Sequence, residues 1–213
     1  MATVKTPSNR LVLGGISWRT YLRALRTFDE RHVRITYDRG VLEIMTLSFE
    51  HEKIGYLLGR LIDALTEELG LPISGGKSTS FKRRKKQRGL EPDNCYGIAN
   101  EPLVRDKTKI DLRNDPPPDL AVAVDISRSS LDRLGIYAAL RVPEVWRSDG
   151  KTVTFHVLQA NGEYAVATSS RAFPGLKSDE LTAFRARQGQ RDVNALVREF
   201  RVCVRERLAA GWQ

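Results

Sequence analysis

The stretch SFEHEKIGYLLGRLIDALTEELG, residues 48–70, constrains this chain more than any other. Ile54, Leu57, Leu58, Leu61, Ile62, Leu65 and Leu69 recur at steps of three and four, which puts them on one face of a helix. Ser48 offers the oxygen an N-cap uses, and Gly70 the left-handed freedom of a C-cap. A stripe this long must be covered, and the rest of the chain offers strands to cover it. VRITYDRGVLEIMT (33–46) alternates on both sides of DRG and reads as a hairpin turning at Gly40. Further strands are predicted at 78–82, 93–98, 119–126, 144–149, 152–158 and 163–168. Further helices are predicted at 17–28 behind Ser17, at 129–140 behind Ser129 or Ser130, and at 191–207. There is no internal repeat and no disordered linker. The order implies one mixed α/β domain over residues 1–213.

Composition narrows the class. At 213 residues the chain can bury a core without staples. Cys95 and Cys203 lack metal-type spacing and are predicted to be reduced, buried thiols. No apolar run reaches a membrane span, and MATVKTPSNR lacks a signal-peptide core, so the cytoplasm is expected and a membrane is not. The net charge of +9 favours a polyanion, nucleic acid first. KRRKKQR concentrates that charge in Lys82, Arg83, Arg84, Lys85, Lys86 and Arg88, on a predicted hairpin loop flanking the site. The plainer alternative is a solvated loop.

The acids carry the chemistry. DLAVAVDIS (119–127) reads as a buried strand, yet it opens on Asp119 and ends near Asp125. A Mg²⁺ ion takes oxygen ligands at about 2.1 Å. Asp119 and position 123 lie about 13 Å apart along a strand, so PPPD is a turn entering the sheet rather than half of a metal pair. A partner must come from a neighbouring strand, and GLEPDNCYGI (89–98) supplies Asp93, which can face position 123 or 125 across a ladder.

YDRGVLEIM, HE opening the long helix, GLEPDNCY, and DLAVAVDISRSSLDRLGIYAALRVPEVWR resemble, in that order, the Uma-two family of restriction endonucleases in the PD-(D/E)XK nuclease superfamily. The resemblance covers residues 15–175 and leaves 178–213 as a C-terminal helical extension. It implies a PD-(D/E)XK nuclease-like mixed β-sheet core flanked by helices, with an added N-terminal helix and hairpin. It also implies a Mg²⁺- or Mn²⁺-dependent endonuclease hydrolysing DNA phosphodiesters, with Asp93 as a metal ligand and the Val124 carbonyl as a further one. The family's second ligand, a glutamate, falls on Ala123, and its lysine falls on Arg133. Two of three central positions therefore depart from the pattern. Alanine offers no oxygen, and arginine's always-charged fork suits a phosphate better than it positions a water. Asp125, about 6.6 Å from position 123 on the same strand face, is a replacement ligand. Glu91 is a second such candidate, and Glu43, His51 and Glu52 lie where the family places polar residues near its site. The expected function is an impaired metal-dependent endonuclease; the alternative is an inactive nuclease-fold protein that binds nucleic acid or a protein partner. A homodimer stays open, since nucleases cutting both strands often pair. Ser127, Ser129 and Ser130 have no histidine base nearby in sequence and read as turn and capping residues.

Overall fold

The computed structural model describes residues 10–29, 31–77, 79–127, 129 and 131–212. Along the chain run β1 (Arg10–Leu13), α1 (Trp18–Thr27), β2 (Val33–Asp38), β3 (Val41–Thr46), α2 (Phe49–Leu69), β4 (Ser74–Gly76), β5 (Phe81–Arg83), β6 (Arg88–Leu90), β7 (Asn94–Gly97), α3 (Glu101–Val104), β8 (Leu120–Val124), α4 (Arg133–Leu140), β9 (Glu144–Ser148), β10 (Val153–Leu158), β11 (Tyr164–Ala167), α5 (Ser178–Ala186) and α6 (Val193–Ala209). They form two sheets, ordered β1-β3-β2-β6-β5 and β11-β10-β9-β8-β7-β4. The first is antiparallel throughout. The second holds one parallel pair, β8 with β9, and α4 is the crossover such a pair requires.

Strand β8 is buried on both faces. Leu120, Val122 and Val124 join the α2 stripe, Trp146, Phe155, Phe173 and the inner face of α6 in one apolar cluster. Ala121 and Ala123 point the other way, under Ile136, Tyr137 and Leu140 of α4. The two small side chains leave room for α4 and for what its first residue carries.

Local signals account for the ends of α2. The Ser48 hydroxyl accepts from the His51 amide at 3.2 Å, and Gly70 takes φ 63°. The β2–β3 turn has Arg39 at φ 45° and Gly40 at φ 96°, the two positive angles of a tight hairpin.

Several elements differ from expectation. Helix α4 starts at Arg133 behind Asp132, whose carboxylate accepts from the Gly135 amide, rather than behind Ser129; Ser130 lies outside the described residues. The strand placed at 78–82 is Phe81–Arg83, and Ser78 lies outside the described residues. Strands β4 and β6 read SGG and RGL, too short and glycine-rich to show alternation. Cys203 is exposed, because it lies on the outer face of α6; Cys95 is buried, which pushes its thiol up to about 11. Among the described residues no helix is long and apolar enough to cross a membrane.

Candidate functional site

Asp93 enters the sheet just before β7. Its amide donates to the Val122 carbonyl at 3.1 Å, and its Oδ2 accepts from the Val124 amide at 2.7 Å. Asn94 stands opposite Val122, so Asp93 stands opposite Ala123. Asn94 also donates to the Gly55 carbonyl at 2.9 Å, which pins α2 beside β7. One turn earlier on α2, His51 Nε2 thereby comes to 3.4 Å from Asp93 Oδ1, and Arg34 Nε of β2 lies at 3.4 Å from the same oxygen. All three side chains are buried.

Asp125 leaves the end of β8 with its amide donating to the Ser148 carbonyl at 2.7 Å. Its Oδ2 accepts from Arg147 Nε at 2.9 Å, and its Oδ1 faces Arg133 Nε at 3.6 Å. Arg133 is buried at the head of α4. Burial alone lowers its pKa; Tyr137, Asp125 and Asp93 raise it, and the net direction is upward. Burial raises the Tyr137 phenol, so it stays neutral. The position that the family resemblance assigns to a lysine therefore carries a permanent guanidinium facing Asp125.

The other acids have structural partners. Glu43 is buried, accepting from Arg10 Nη1 at 2.8 Å and from the Ser129 hydroxyl at 2.9 Å. Arg10 also reaches Ser127, so this cluster fastens the β1 edge to the segment after β8. Glu91 accepts from the Ile35 amide and the Ser80 hydroxyl, away from Asp93, and burial raises its pKa. Glu52 is exposed, 3.7 Å from His51 Nδ1. Asp119 accepts from the Ile98 and Asn100 amides and the Asn100 side chain, holding the turn that enters β8.

The basic run forms the β5–β6 hairpin. Lys82, Arg84, Lys85 and Lys86 are exposed. Arg88 is structural, its guanidinium holding Asp38 Oδ1 at 2.8 Å and the Gly135 carbonyl at 2.9 Å. Arg83 is half-buried, and burial lowers its pKa.

The residues present do not fit a divalent cation. Such an ion needs several oxygen acceptors around one point. Among the described residues no three His, Cys, Asp or Glu side chains converge in that way. Arg34 Nε, both His51 ring nitrogens, Arg133 Nε, Tyr137 Oη and Asp125 Oδ1 are buried without hydrogen-bond partners. Most of these atoms are donors. Asp93 and Asp125 are also already balanced by Arg34 and Arg133, with Arg147 adding a further charge at the rim. An added dication would meet a site that is electrostatically neutral or positive.

Beside this cluster runs a groove of about 480 Å³ with Arg34, His51 and Asp93 on its floor and Lys53 and Lys77 on its walls. Sequence reasoning missed Arg34 and the groove. The signal for Arg34 was a strand buried on both faces: Arg34, Thr36 and Asp38 alternate with Ile35 and Tyr37, and all five are buried.

Asp93 and Asp125, at the ends of adjacent core strands, are thus set among the buried cations Arg34 and Arg133. The family model Uma2, described as a putative restriction endonuclease, matches residues 18–187, and the chain belongs to that family. A putative nuclease belonging to DUF820 from Anabaena variabilis is similar to 71% of this chain over 90% of its own, with a TM-score of 0.48 and 13% identity. No curated protein matches.

Proposed function

We propose that this chain is a nuclease-fold protein that binds nucleic acid and has lost metal-dependent cleavage. The observation that carries this reading is the buried Arg133 guanidinium, facing Asp125 at 3.6 Å beside Ala123. A fixed monocation on the protein replaces a dication held by carboxylates. It sets a positive charge beside Asp125, yet it offers no coordination position at which a water could be activated. The four exposed cations of the β5–β6 hairpin supply backbone attraction, and each phosphate they neutralise steepens the salt dependence of binding.

Calorimetry with Mg²⁺ and Mn²⁺ tests the reading, on this chain and on the Ala123→Glu, Arg133→Lys double variant. The parent should give no binding isotherm and no nicking of supercoiled DNA, while still retarding DNA in a salt-dependent way. The double variant should gain metal affinity. Parent binding of Mn²⁺ that vanishes in Asp93→Asn would overturn the loss of the metal site. Failure to bind any nucleic acid at low salt would overturn the reading as a whole.

A further inference from the structure

We infer that the groove beside Asp93 is a seat for an unpaired nucleic-acid strand, its bases stacking on Phe49 and Tyr56. This rests on the nucleic-acid reading above and names the form of nucleic acid. Phe49 and Tyr56 both line the groove, and they stand 80% and 48% exposed. They are seven residues apart on α2, hence two turns along one side and about 10 Å apart along the axis. Each ring has a cation over it: Lys53 Nζ lies 5.6 Å from the Phe49 centroid, and Lys77 Nζ lies 5.9 Å from the Tyr56 centroid. Arg60 also stands 5.9 Å from the Tyr56 ring.

A single-stranded polynucleotide matches this alternation of ring and cation. It presents a base face and a phosphate in every repeat, and sequence-tolerant strand binders meet it with exposed aromatics and basic walls. A duplex does not match, because its base faces are already stacked inside. The floor provides an independent indication. Arg34 Nε and His51 Nε2 are buried and make no hydrogen bond, each standing 3.4 Å from Asp93 Oδ1, and both residues line the same groove, so this incompletely satisfied floor can take up a phosphodiester oxygen. The acids in the groove are Asp93, balanced by Arg34, and the exposed Glu52, beside which Lys53 and Lys77 leave the walls positive.

Fluorescence anisotropy of the full chain tests this, using a labelled oligothymidylate and a duplex of equal length. Phe49→Ala and Tyr56→Ala should each weaken single-strand binding by roughly tenfold. Phe49→Trp should retain it, and duplex binding should be unchanged in all three. Both rings are exposed, so unchanged thermal midpoints will show that the variants are folded. Parental single-strand affinity in both alanine variants would overturn the inference while leaving the proposed function standing, as would an equal loss on duplex. No binding of either oligonucleotide by the parent would overturn both.

Discussion

The two faces of β8 belong to one five-residue strand and are built by opposite rules. Toward α2, Leu120, Val122 and Val124 join one large apolar cluster, with Trp146 and Phe155 stacked at 4.8 Å behind them. Toward α4, Ala121 and Ala123 make room for a buried arginine, a neutral phenol and an aspartate whose polar atoms are partly unpartnered. The first face stabilises mainly by exclusion of water, and the buried polar groups at its edge, Asn94 and Glu144, have hydrogen-bond partners. The second keeps charges that a purely structural core would have replaced with hydrocarbon. A pair of buried charges is weak evidence for stability and better evidence for a site.

That contrast can be broken at three places. The largest effect is expected from Arg133→Met, which leaves Asp125 buried beside Arg147 alone. It should cost about 3–5 kcal/mol at neutral pH in urea unfolding. The loss should shrink as pH falls into the carboxylate range, because an uncharged carboxyl leaves no buried charge unpaired where the guanidinium was. A loss under about 1 kcal/mol would mean that Arg147 alone suffices. Leu120→Ala on the opposite face should cost about 3 kcal/mol through its cavity and show no such dependence on pH. The smallest effect concerns Glu68, near the C-terminal end of α2, which accepts from Arg205 at 2.7 Å and Arg201 at 2.8 Å of α6. Arg205, then Arg201, hold its carboxyl down to about 2. A depressed folded pKa contributes stability above the unfolded value of 4.5 that is lost as pH falls toward 2. Glu68→Gln should flatten that part of the acid-denaturation profile by lowering stability at neutral pH, and leave stability near pH 2 nearly unchanged.

What was legible in the sequence follows the same division. Periodicity exposed α2, the β2–β3 hairpin and the apolar run of β8, because each is a local pattern repeated over many residues. Asp93 and Asp125 were legible as acids out of place in apolar runs. The cap of α4 was misjudged, because the Ser129 oxygen accepts from the Leu131 amide in the preceding turn while its hydroxyl donates to Glu43, 86 positions earlier, and Asp132 caps the helix instead. Arg34 was invisible for a similar reason: it sits in the first sheet but serves an aspartate of the second.

The small side chain at position 123 has a consequence for how such a site can change. A glutamate restored there alone would project under α4 beside the Arg133 guanidinium and form an ion pair with it. Its oxygens would be occupied before any ion arrived. Lysine restored alone at 133 would find no second acid at 123. On the proposed loss of the metal site, each single step should leave the site short of one group, and only the joint change should open a path back. Under that reading the alanine and the arginine act as a ratchet, in which each substitution removes the advantage of undoing the other.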